Sequence, residues 1–302
     1  MAPMSKSKKT LAPSSIVTSR DPKGLKFTSI PAMSYDKARL SEEEAQRLND
    51  TPGLADLIDG FIAKNRRLNQ YANEEVGSGY GYPKGFKPKD PMSQSNDLRQ
   101  LIGGIGFFDQ DYLTLVQNGT VALPDGAEGW FAIPRWQKIA PTYNEAVEKV
   151  LALIASKRTF KNWREGQLGP DRFRQHPRTA HALDVIAEQQ KGADILIIPA
   201  QFGQRHAGRS VRRAREVFTS PEFGLDAFSN AVMLLTHPER LIACEDLWID
   251  CAGDEYAPAA DGRFNEAPYF DFYVGCLGLD AHVVGSALDF CGSASGFVPQ
   301  AV

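Results

Sequence analysis

No stretch of this chain approaches the roughly 18 uninterrupted apolar residues of a membrane span. Its basic N-terminus lacks the apolar core of a secretory signal, so the expected location is cytoplasmic and no membrane partner is expected. Cysteine is scarce. Cys244, Cys251, Cys276 and Cys291 are the whole set, and none stands in the close C-x₂₋₄-C spacing that clamps zinc. Reduced, buried thiols are the expectation. No H-E-x-x-H occurs, and His176 and His181 are five apart rather than four. GSASG (292–296) places Ala294 where a nucleophile elbow needs its serine. These absences remove the familiar zinc-protease and serine-hydrolase signatures.

What is present is ordinary globular composition. With 302 residues, 42% of them apolar and 24% charged, the chain can bury a large core without disulfide or metal staples. The net charge of −3 conceals a segregation. Residues 135–216 hold sixteen Lys/Arg against eight Asp/Glu, whereas 217–302 hold two against thirteen. Such a layout marks either a polyanion-binding surface or two regions that neutralise each other on folding.

Residues 1–26 carry six Lys/Arg against one acid and no apolar periodicity, which predicts a disordered basic tail. A helical N-terminal segment with a Gly/Pro loop is expected over 27–92. Ser41 with Glu44 forms a capping box, and Leu54, Leu57, Ile58, Phe61 and Ile62 recur at helical spacing. GSGYGYPKGFKPKDP (77–91) reads as a loop. An α/β core is expected over 93–302. WFAIPRW (130–136) reads as a strand that Pro134 pushes to a sheet edge or terminus. Helices are expected from Thr142, from near Pro177, from Ser210 and over 225–235. Ile195–Ile198 reads as a strand buried on both faces. Leu247–Asp250 is a further strand, and Tyr269–Val274 with His282–Val284 reads as a C-terminal hairpin or meander. The fold class is mixed α+β: a helical segment, then a mixed sheet with covering helices.

The runs EGWFAIPRW, GADILIIPAQFG, GRSVRRAREVF, LWIDCAGDEYAP and GSASGFVPQ together resemble a group of uncharacterised proteins from candidate-phyla bacteria, over residues 128–300. The resemblance implies a prokaryotic, cytoplasmic protein and carries no activity with it.

Two patterns could carry chemistry. Gly203-Gln204-Arg205-His206-Ala207-Gly208-Arg209-Ser210 lies between a buried strand and a helix, where a glycine-rich loop can turn N–H groups onto phosphate. It departs from the P-loop pattern, with Arg209 in place of the lysine. Arg205, His206, Arg209, Arg212 and Arg213, with Gly208 and Ser210, make the expected phosphate or polyanion contact, Arg209, Arg212 and Arg213 sharing a helix face. The second pattern is Asp250, Asp254 and Glu255 at the end of a strand, where hard cations such as Mg²⁺ find oxygen ligands. Two functions follow: a protein that contacts nucleic acid or another polyanion through its basic tail and the 205–215 helix, or a magnesium-dependent phosphate-handling enzyme that joins both patterns.

Overall fold

The computed structural model describes residues 22–51, 53–65, 70–106, 108–259 and 261–299. The expected tail thus lies outside the described residues except for Pro22 to Lys26, which open a helix. No described helix is long and apolar enough to cross a membrane. The chain divides into two compact units, Met1–Arg66 and Arg67–Val302. The first contains α1 (Pro22–Ala38), α2 (Glu42–Asp50) and α3 (Leu54–Asn65). At α2 the Ser41 side chain accepts from the Glu44 N–H while the Glu44 carboxylate accepts from the Ser41 N–H, the reciprocal capping read from the sequence.

The second unit is mixed α+β and takes in the 77–91 loop. Its helices are α4 (Pro91–Leu101), α5 (Gln110–Gln117), α6 (Tyr143–Lys157), α7 (Pro177–Gln189), α8 (Val211–Val217) and α9 (Ala227–Thr236). Its strands are β1 (Gly129–Pro134), β2 (Phe160–Asn162), β3 (Phe173–Gln175), β4 (Ile195–Gln201), β5 (Glu222–Gly224), β6 (Trp248–Asp250), β7 (Asp254–Tyr256), β8 (Glu266–Tyr273), β9 (Cys276–Val283), β10 (Cys291–Ser293) and β11 (Ser295–Phe297). Start signals hold locally: Thr142, Ser210 and Asp226 each accept an N–H of the first turn they precede. His176 caps α7 in the same way.

The strands form two sheets. The first runs β1-β4-β11-β5 and is antiparallel throughout. As expected, β1 sits at its edge and ends at Pro134. All seven residues of β4 are buried, so the aliphatic run correctly reported burial on both faces. Its neighbours are nevertheless antiparallel, because such a run reports what covers a strand and not which way the next one points. The mixed sheet is the other one, β10-β6-β8-β7-β3, with β9 beside β8 and β2 beside β9; β10–β6 and β2–β9 are its parallel pairs. The C-terminal hairpin is β8–β9. Val274 and Gly275 turn it with positive φ at both positions, the tight turn whose twist matches the strands.

The chain changes sheets at Ala294. Cys291–Ser293 pair with β6, and two residues later Ser295–Phe297 pair with β4 and β5. Ala294 is buried, donates its N–H to the Asp250 carbonyl and accepts from the Leu225 N–H. Small residues are required here. Gly203 and Gly292 approach so closely that a Cβ on either would collide with the other's backbone.

Two buried glutamines complete the first sheet where strands are missing. Gln94 of α4 donates to the Trp130 carbonyl and accepts from the Ala132 N–H, on the outer edge of β1. Gln190 does the same for both backbone groups of Ile197, beyond the end of β11. Each side-chain amide thereby acts as one residue of an extra strand. Gln190→Ala leaves a buried donor and a buried acceptor of β4 unpaired. The expected cost is about 2–4 kcal/mol, read as a drop of about 5–15 °C in the thermal midpoint; an unchanged midpoint would show that these bonds are replaced.

Candidate metal centre

Strand register gives the second sheet one apolar and one polar face. Ile249, Phe270, Phe272, Leu277 and Leu279 lie on the first and join the main core. The other face carries, from edge to edge, Cys291 and Ser293 on β10, Trp248 and Asp250 on β6, Tyr269 and Asp271 on β8, and Asp280 and His282 on β9. Aspartates, a histidine and a cysteine on one side of four neighbouring strands form a donor-rich surface. Most of it is not open water: Asp250 and Ser293 are fully buried and Cys291 nearly so.

Three of these side chains converge. One ligand atom each from Asp250, His282 and Cys291 lies within 4.8 Å of the other two. His282 Nε2 stands 3.0 Å from Asp250 Oδ1, yet neither atom makes a hydrogen bond of acceptable geometry, and Oδ2 has no partner either. A fully buried carboxylate without a hydrogen-bond donor costs several kcal/mol unless something positive faces it.

Without a metal, the electrostatics of the cluster are those of an ion pair. Burial works against a charged His282, but Asp250, then Glu266 and Asp280, outweigh it and raise the imidazole above its ordinary value. Burial pushes the Cys291 thiol well up, and Asp250, Asp271 and Asp289 push it further. An activated cysteine nucleophile needs the opposite surroundings. A cation would reverse the logic, because thiolate, imidazole and carboxylate are all stabilised by a metal.

Of the residues singled out in the sequence, Asp250 belongs to this cluster and its two expected companions do not. The Tyr143 hydroxyl donates to Asp254 at 2.6 Å, and the Ala227 N–H donates to the other oxygen. Glu255 pairs with Arg174 across β3–β7. The reason is the pleat: consecutive residues of β7 face opposite ways, and the turn after Asp250 separates it from both. Asp226 stands beside Asp254, fully buried, held by the Ser229 N–H and the Gln175 amide.

The 203–210 loop has no N–H left for phosphate. Gly203 and Arg205 donate to Gln201 Oε1, Gln204 to the Tyr82 hydroxyl, and His206 and Ala207 to the carbonyls of Gly203 and Gln204. Gly208 donates to the Cys291 carbonyl, Arg209 to His206 and Ser210 to Glu74. Ser210 Oγ accepts from the Arg213 N–H and donates to Glu74. The loop's contact with β10 therefore supports the strand that carries Cys291 rather than presenting a cradle.

The arginines are paired inside the protein. Arg205 meets Glu222, Arg209 meets Glu75, Arg212 meets Glu74, and Arg213 meets both Glu75 and Glu216. His206 Nδ1 faces the Arg209 guanidinium at 3.0 Å, so Nε2 carries the proton that it gives to Glu222 at 2.7 Å. Neutralisation thus came as one of the two sequence expectations had it, but from Glu74, Glu75, Glu216 and Glu222 in place of the acidic C-terminal stretch as a whole.

No protein-family model matches this chain, and no curated protein or solved structure matches it either. His282 and Cys291 were missed by sequence reasoning. The only signal was register: once the hairpin and the following strand are aligned, Asp250, His282 and Cys291 share a face.

Burial first, and Asp226 second, raise the Asp254 carboxyl well above its unfolded value of 3.8. Stability from this group is then fully present below 3.8 and is lost as pH rises through the folded value. Asp254→Asn, which keeps an acceptor for the Ala227 N–H and faces Tyr143 with an amide from which the hydroxyl accepts instead of donating, should remove that alkaline loss. Asp254→Ala should cost about 2–4 kcal/mol. Denaturation midpoints from pH 5 to pH 9 check both, and a wild type and an Asn variant with parallel profiles would show that Asp254 does not titrate in this way.

Proposed function

We propose that this protein is a metalloprotein that binds one divalent transition-metal ion through Asp250, His282 and Cys291. The observation that carries the reading is the convergence of a fully buried Asp250 carboxylate, one oxygen 3.0 Å from the His282 imidazole and the other without a hydrogen-bond partner, with that imidazole and a thiol. In a tetrahedral zinc site with bonds of about 2.0–2.3 Å, ligand atoms stand roughly 3.3–3.6 Å apart. To meet that, Asp250 and His282 open slightly from 3.0 Å, and any pair near the 4.8 Å bound draws in. Donor chemistry selects the ion. Oxygen, nitrogen and sulfur together suit Zn²⁺ or a neighbouring transition metal, whereas Mg²⁺ asks for oxygen alone.

Three protein ligands leave the fourth position of a tetrahedral ion to water or substrate, which is the arrangement of catalytic rather than structural zinc sites. Glu266 Oε2 is also buried without a hydrogen-bond partner, but on β8 it alternates with Tyr269 and Asp271 and belongs to the face of Phe270, away from the three ligands. Trp248 and Tyr269 lie parallel at 5.7 Å between ring centroids and form the apolar flank of the site. Metal-assisted hydrolysis or hydration is the reaction class that these parts serve.

Titration of metal-free protein with Zn²⁺ should give one site per chain. Co²⁺ should give the intense visible bands of a tetrahedral ion and a thiolate charge-transfer band that Cys291→Ser abolishes. Asp250→Asn and His282→Ala should each weaken Zn²⁺ by about 100-fold or more. Glu266→Gln should leave metal affinity nearly unchanged. Tight Mg²⁺ binding, or Zn²⁺ binding indifferent to all three ligand substitutions, would overturn the assignment.

A further inference from the structure

A cavity of about 110 Å³ lies away from the metal ligands, among β1, β4, α7, α9 and residues 135–137. Its walls are mainly apolar, with Ile133, Leu183, Leu196 and Phe228 prominent. Five polar side chains interrupt them, the more exposed Arg135, Gln137 and Asp184 and the deeper Ser229 and Gln175. Ser229 is fully buried and its hydroxyl has no hydrogen bond of acceptable geometry; Gln175 has its amide nitrogen committed to Asp226. What remains for an occupant is therefore a hydroxyl that can donate or accept and an amide oxygen that can only accept.

Size and charge narrow the class. A dry engineered cavity of about 150 Å³ holds benzene, and one water claims about 30 Å³, so this space accommodates a single ring or its equivalent. Arg135 and Asp184 both line the cavity and their charges offset. Asp226, which touches Ser229 and Gln175, stands behind the floor with its own charge buried. An anion would meet that carboxylate, and a cation would be stripped of water between apolar walls.

We propose that this cavity is a binding site for a small uncharged molecule of about one ring, carrying one hydroxyl or N–H that bonds to Ser229 and Gln175. Nothing in this site depends on the metal centre, and it is tested on metal-free and zinc-loaded protein alike. The probe is 3-fluorophenol, followed by ¹⁹F NMR against fluorobenzene and 3-fluorobenzoate. The expected result is saturable one-to-one binding of the phenol, with fluorobenzene weaker and the benzoate weakest. Ser229→Ala keeps the backbone bond to Asp226 and should weaken the phenol about tenfold, one hydrogen bond's worth. Leu183→Trp, placed at the wall on α7, should fill the space and abolish binding. Absence of binding at about 5 mM probe, a benzoate that binds better than the phenol, or a phenol affinity that neither substitution changes would each overturn the proposal.

Discussion

Everything in the larger unit is tied to seven residues, Cys291–Phe297, that belong to both sheets. One peptide segment pairs with β6, bends at Ala294, and pairs with β4 and β5. The bend works only because its neighbours are small. Gly292 lets the 203 turn come into backbone contact, and Gly296 takes the Phe223 ring where a side chain would otherwise stand. Close packing of this kind transmits displacement instead of absorbing it. The position of Cys291 is thus fixed from one sheet and from the 203–210 loop together, which is the rigidity that a ligand trio on separate strands needs.

The polar face of the second sheet illustrates why such sites are hard to see in a chain. Asp250, His282 and Cys291 are spread over more than forty positions, and no local spacing rule links them. Zinc signatures rely on ligands that share a turn or a helix face; here the link is lateral, through strand pairing. Strand existence was legible from Leu247–Asp250 and Tyr269–Val274, whereas β9 begins at Cys276, six residues before the expected His282–Val284. The register was not legible, because it depends on which of two faces finds a core, and both β8 and β9 mix aromatic, acidic and aliphatic residues. The helix starts at Ser41, Thr142 and Ser210 were legible for the opposite reason: a cap is a contract between residues three apart.

The arginine-rich segment shows how a strong composition signal can mislead about its destination. Six cations within eleven residues look like a surface prepared for phosphate. Folding brings Glu74 and Glu75 alongside from just before the loop read at 77–91, and α8 supplies Glu216 itself. The pairs near solvent contribute little each. Their collective effect is to hold α8 and the loop before it against residues 74–75 and β5, and Arg215 adds two bonds to the carbonyls of Ala252 and Asp254. Charge here serves orientation.

Gln94 has a wider consequence than the two bonds it makes. A strand at the rim of a sheet offers a row of free amides and carbonyls to any passing chain, and β1 is such a rim. The carboxamide from α4 occupies the positions at Trp130 and Ala132, and Pro134 has no amide hydrogen to offer at the far end. A helix and an imino acid between them deny the edge to a second molecule. On that rim the sheet closes itself with side chain and ring instead of another strand, and β4 stays buried one strand further in.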